Sequence, residues 1–148
     1  MKYWMRCALT LGYAWSAVVL GATAVPADIS KVNGSVKIVA GQAAGDVSTV
    51  NGSVTVGDGG VAAEVDTVNG SIRLGDRARV TEASTVNGAI TVGAGTVVDG
   101  ALGTVNGDIT MRERSRVGGA AETVNGDLRL EGAEVRRGLA TVNGDIHV

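Results

Sequence analysis

The chain has 148 residues, a formal net charge of −2, one histidine, one cysteine and 3% aromatic residues. That length fits one domain, and the slightly acidic balance argues against a dedicated nucleic-acid binder. His147 and Cys7 stand alone, which leaves no plausible Ser-His or Cys-His pair for nucleophilic catalysis and no zinc ligand set.

The first segment differs from the rest. Lys2 and Arg6 precede the apolar run ALTLGYAWSAVVLGATA, which ends in small residues and is followed by Val25-Pro26-Ala27. A charged start, an apolar stretch and a small-x-small ending predict a secretory signal peptide over 1–27, cleaved after Ala24 or Ala27. The competing reading is an uncleaved anchor, because Ala8 to Val25 is just long enough to span a bilayer. Either reading exports the remainder to the periplasm or cell surface. Tyr3, Trp4, Tyr13, Trp15 and Cys7 all lie in this segment. The mature chain, 28–148, therefore has no aromatic residue and no disulfide. Backbone ladders and small aliphatic side chains must hold it together.

From Val32 onward one motif dominates. KVNG, then TVNG six times, places asparagines at Asn33, Asn51, Asn69, Asn87, Asn106, Asn125 and Asn143, each followed by a glycine: Gly34, Gly52, Gly70, Gly88, Gly107, Gly126 and Gly144. The spacings are 18, 18, 18, 19, 19 and 18. A fixed period of this kind marks a solenoid in which each repeat touches only its neighbours. Within it runs a period of six, through Val68, Leu74, Val80, Val86, Val92 and Val98. Three hexads per coil predict an all-β, three-sided parallel β-helix of about seven coils, with this aliphatic series facing inward.

Asn-Gly between apolar residues is also the usual signal of a hairpin turn. A hairpin needs alternating arms on both sides, and only the following arm alternates, with Ile72 and Leu74 in and Ser71 and Arg73 out. Val65 and Val68 are three apart, so the preceding arm breaks phase. The pair is therefore expected to form a coil corner, with Asn or Gly in a left-handed conformation. Stacking at about 4.8 Å would line the asparagines into an amide ladder and Thr49 to Thr141 into a threonine ladder. The same ladder accounts for the Asn-Gly-Ser acceptor matches at Asn33, Asn51 and Asn69 better than glycosylation does.

Few constellations could carry chemistry. Asp108, Asp127 and Asp145 follow the last Asn-Gly pairs and should stack, whereas Ser35, Ser53, Ser71 and Ala89 take that place earlier. Stacked carboxylates are either simply solvated, the favoured reading, or bridged by a divalent cation as weak metal candidates. Arg112, Arg114 and Arg116 alternate like a basic strand, with Arg77 and Arg79 comparable two coils earlier. Such a strand serves as a soluble face or edge guard, or contacts an anionic envelope polymer. A Thr-x-Asn ice-binding array is disfavoured by the irregular outward row Lys37, Thr55, Arg73, Thr91, Thr110, Arg129 and His147. Hexad coils also build acyltransferases, but those rely on a histidine base and a protruding loop. No catalytic residue and no cofactor is assigned.

The stretch VGAGTVVDGALGTVNGDITMRERSRVGGAAETVNGDLRL, Val92 to Leu130, resembles the bactofilins, polymer-forming β-helical cytoskeletal proteins. The likeness lies in the 18-residue coil with recurrent V-x-G-x and G-D-I elements, over Val32 to Val148. It implies a right-handed three-sided β-helix that polymerises end to end without nucleotide. The leader departs from typical members, which work in the cytoplasm, often at the membrane. The TVNGD units are also similar to adhesin-type solenoids of bacterial envelopes, for which export is expected. Val148 falls inside the last repeat without a polar cap, which predicts self-association through open coil ends or docking on an envelope polymer or membrane protein. The expected role is structural and non-enzymatic, with an adhesin-like binding module as the alternative and a hexapeptide acyltransferase third.

Overall fold

The computed structural model describes residues 26–148. The leader reading falls on residues that, apart from Pro26 and Ala27, lie outside this range. All regular structure in the described part is β, and every strand pairing is parallel. Parallel pairing rules out a meander of hairpins. The chain is a solenoid of about seven turns.

Three faces recur in each turn. The first carries the strand that ends at the motif asparagine, from Ile29–Asn33 through Val47–Asn51 to Gly138–Asn143. The second carries the three-residue strand after the glycine, such as Ile72–Leu74 and Ile90–Val92, and forms a seven-stranded sheet. The third is narrow, with the short strands Val97–Val98, Arg116–Val117 and Glu134–Val135. In the coils at Val61–Asn69 and Arg79–Asn87 one nine-residue strand crosses from the third face to the first without a break. Register fixes the reason. Val80 pairs with Val98 and Ala83 with Leu102, so three positions in one coil face four in the next. The extra residue sits in Asp99-Gly100-Ala101, where the strand breaks, and it accounts for the step from 18 to 19.

The core is a column of small aliphatic side chains. Each coil contributes two residues from the second face, such as Ile72 and Leu74, one from the third, such as Val80, and one from the first, such as Val65 or Ala83. A small residue after the second corner completes the layer, as Ala78, Thr96 and Ser115 do. Burial of this kind contributes about 25 cal/mol per Å² of apolar surface, and identical spacing lets each layer interlock with the next.

One expectation about this core is corrected. The valine of Thr-Val-Asn belongs to the six-residue series expected to face inward, yet Val68 is 41% exposed, while Thr67 is 4% exposed. The same reversal holds at Val50, Val86, Val105 and Val124, beside buried Thr49, Thr85, Thr104 and Thr123. With threonine counted as the inward residue, Val65 and Thr67 alternate cleanly, and the break in phase lies upstream, between buried Ala62 and Val65, where the strand crosses from the third face to the first. The hexad count misread a polar core position as an apolar one.

Candidate functional site: the two tight corners

The Asn-Gly corner is built by contacts between coils. Each asparagine donates its side-chain amide to the side-chain oxygen of the preceding one, from Asn51 to Asn33 at 3.0 Å through Asn143 to Asn125 at 2.8 Å. The glycine N–H of each coil donates to the asparagine carbonyl of the next, as from Gly70 to Asn87 at 3.0 Å. Backbones approach closely at this point. A Cβ on Gly88 would stand 2.6 Å from the carbonyl carbon of Gly70 and closer still to its oxygen. Side-chain volume is thereby excluded at this position in one coil after another. From Gly88 on, φ at this glycine is 156–159°, and none of the asparagines has positive φ. The expected left-handed corner is therefore corrected: a lack of room and a nearly extended, glycine-only backbone set the residue type.

Threonine completes this corner from inside. Thr85 donates its hydroxyl to the Gly70 carbonyl at 3.1 Å, and Thr49, Thr67, Thr104, Thr123 and Thr141 each do the same one coil back. The threonines bond the corner rather than one another. A hydroxyl taken out of water would cost free energy unless paired, and the glycine carbonyl supplies the partner. No buried side-chain nitrogen or oxygen among the described residues lacks a hydrogen bond.

Asp108, Asp127 and Asp145 do stack, and their carboxylates serve the backbone. The Asp127 N–H donates to Asp108 Oδ1 at 2.9 Å and the Asp145 N–H to Asp127 Oδ1 at 3.0 Å. That second bond holds the Asp127 carboxyl below its ordinary range, helped by Arg129, whose Nη2 lies 3.5 Å from Oδ2. Among the described residues no three His, Cys, Asp or Glu side chains are grouped so as to hold a metal ion. Ser35 fills the same role weakly in the first coil, accepting the Ser53 N–H at 3.4 Å. His147 sits on the second face, in register with Arg129.

The arginines do not form an alternating strand. Of Arg112, Arg114 and Arg116 only Arg116 lies on one, where it pairs with Glu134 at 3.5 Å, and Arg79 holds the equivalent strand position two coils earlier. Arg112 and Arg114 belong to the second corner, between the second and third faces, and Arg77 occupies the equivalent place two coils earlier. Here the residue at the turn is left-handed in six successive coils: Gly41, Gly59, Arg77, Gly95, Arg114 and Gly132, with φ between 56° and 74°. Arg77 and Arg114 are the only residues other than glycine with positive φ among those described.

Sequence reasoning passed over an acidic group on the first face. Glu64 bonds Asp66, which raises the Glu64 carboxyl above its ordinary value, and Asp66 accepts the Ser84 hydroxyl. Glu64 also pairs in register with Glu82. Glu64 and Asp66 are two apart on one strand, and Glu82 and Ser84 follow them at the 18-residue period, so the repeat spacing was the signal that could have found the group.

Comparison with known proteins finds no matching family model, no matching curated protein and no matching solved structure.

Proposed function

We propose that the chain is a non-enzymatic structural element of a bacterial cell envelope that assembles end to end by adding coils from a second copy. One observation carries this reading. Every coil offers its neighbour the asparagine amide, the glycine N–H and the strand backbones in the same register, and every coil after the first, where Lys31 stands, adds the threonine hydroxyl. A second copy placed one step beyond either end would extend the asparagine, glycine and strand rows with the bonds already used inside the molecule, with Lys31 in place of threonine at the junction. Among the described residues, Ile29–Asn33 and Gly138–Asn143 on one sheet, and Val36–Ile38 and Ile146–His147 on the other, have a strand partner on one side only. Unpaired edges of this sort are templates for further strands. Similarity of repeat pattern to the bactofilins points the same way, and the leader directs this assembly outside the cytoplasm.

The non-enzymatic part of the reading rests on how the polar side chains are used. The buried threonines and Ser115 are bonded to backbone carbonyls, and the stacked aspartates 127 and 108 to backbone N–H groups. Electron microscopy and sedimentation of the processed chain test the proposal. Filaments, or a mass that grows with concentration, are expected. A monodisperse monomer at high concentration overturns it.

A further inference from the structure

Arg77 and Arg114 occupy places where the fold prefers glycine, and they face each other across one. The corner residues stack through backbone bonds: the Arg77 N–H donates to the Ala94 carbonyl, Gly95 to Glu113 and Arg114 to Gly132, each at 2.9 Å. Arg77 and Arg114 are two coil steps apart, about 9.6 Å between backbones, with side-chain-free Gly95 between them. A hollow of about 440 Å³ opens there, lined by Asp76, Arg77, Ala94, Gly95 and Arg114. Arg77 leans over its floor, since its Cγ lies 3.4 Å from where a Cβ on Gly95 would stand.

Three features separate this hollow from an ordinary charged surface. A left-handed backbone costs a non-glycine residue about 1–2 kcal/mol, and four of the six coils avoid that cost with glycine. Strain kept at an exposed position where a relaxed alternative is available needs another reason, and binding is the common one. Both guanidinium groups are also uncommitted: the ion pairs among the described residues use Arg116 and Arg129. The carboxylate on the wall is already engaged, because Asp76 Oδ1 accepts the Ala94 N–H at 2.9 Å. Arg112 adds a cation at the same corner and Glu113 an anion, so bulk charge is not the attraction.

We propose that Arg77 and Arg114 clamp a phosphate group that carries at least three free oxygens, a phosphomonoester or a pyrophosphate, seated over Gly95. A guanidinium fork takes two oxygens at once. A carboxylate holds its two oxygens in one plane, so a second fork must share oxygens already bonded to the first. A terminal phosphate spreads three oxygens tetrahedrally and offers a pair to each of two forks approaching from different coils, with a larger negative charge.

Inorganic pyrophosphate, titrated against the full chain and followed through the arginine side-chain N–H resonances, tests the site. Saturable shifts at Arg77 and Arg114 are expected, with affinity falling by about tenfold in Arg77→Gly or Arg114→Gly, as removal of a charge-assisted bidentate contact implies. Glycine is native at this position in the neighbouring coils, so both variants should fold and melt close to the parent. Arg79→Gly, on the third face outside the hollow, is the control and should bind unchanged. Arg77→Lys keeps the charge without the fork and should weaken binding nearly as much as glycine. Equal loss in the Arg79 variant, an unsaturable response, or full binding by the lysine variant would overturn the proposal. Citrate binding as well as pyrophosphate would overturn the phosphate assignment.

Discussion

Two corners of this solenoid use glycine for different reasons, and the sequence records the difference. At the first corner, after asparagine, glycine follows in all seven coils. At the second, the turn residue is Gly41, Gly59, Arg77, Gly95, Arg114 and Gly132. A Cβ on Gly88 at the first corner would collide with the Gly70 carbonyl, whereas one on Gly59 or Gly41 at the second would meet nothing within 4 Å. Lack of room is absolute, because backbone cannot yield without moving a whole coil. Left-handed backbone is only a preference, of the order of 1 kcal/mol. Invariance from Gly52 to Gly144 follows the first constraint, Gly34 has room but sits at φ 135°, and variation is allowed by the second.

The largest effects should therefore come from the first corner. Gly88→Ala drives a methyl into the Gly70 carbonyl in the middle of the stack. Overpacking against backbone is expected to cost about 3 kcal/mol or more, read as a large drop in urea midpoint or as loss of the folded state. A variant within 1 kcal/mol of the parent, as an order-of-magnitude bound, would show that this corner can relax. Thr85→Val is next. It keeps the shape but takes the hydroxyl donor from the Gly70 carbonyl at a position 4% exposed. A loss of about 1–2 kcal/mol is expected. A neutral result would mean that threonine is there for its β-branched shape alone.

How far this was legible follows from the same two corners. Period, coil number, parallel strands and the asparagine row are repeated features, and repetition survives even when single residues are misread. The inward side of Thr-Val-Asn was not legible, because Thr67 and Val68 are both β-branched strand formers, and hydropathy names the wrong one. Only the glycine carbonyl one coil back gives threonine a reason to face inward, and that carbonyl is fifteen residues away. The stretch Arg112 to Arg116 misled in the same way. Alternation looks like a strand, but the corner places Arg114 at positive φ and leaves Arg116 alone in the ladder. A comparison of Arg77 with its partners at 18-residue steps, Gly59 and Gly95, would have exposed the corner.

Smaller effects belong to the second corner and run in opposite directions. Gly59→Ala puts a side chain into open space at φ 66°, so only conformation is charged against it. A loss of about 1 kcal/mol is expected by chemical denaturation. Arg114→Gly, at φ 60°, removes the same penalty and exposes a more flexible unfolded chain. The two terms nearly offset, leaving stability within about 0.5 kcal/mol of the parent or slightly higher. If Gly59→Ala proved as damaging as Gly88→Ala, the distinction between the corners would fail.

The least effect concerns pH and separates the two ends of the first corner's own column. Early coils place Ser35 and Ser53 after the glycine, and the last ones place Asp108, Asp127 and Asp145 there. Asp127 receives the Asp145 N–H, and that bond, with Arg129, holds its carboxyl below the ordinary value. A carboxyl whose folded value is depressed adds stability above its unfolded value and loses it as pH falls through the folded one. Asp127→Asn retains an oxygen that can accept the N–H but removes the charge. The parent should therefore exceed this variant in urea midpoint at neutral pH, with the gap closing as acid protonates Asp127. A gap that stayed constant from neutral to acid pH would show that the carboxylate acts here as a shape rather than as a charge.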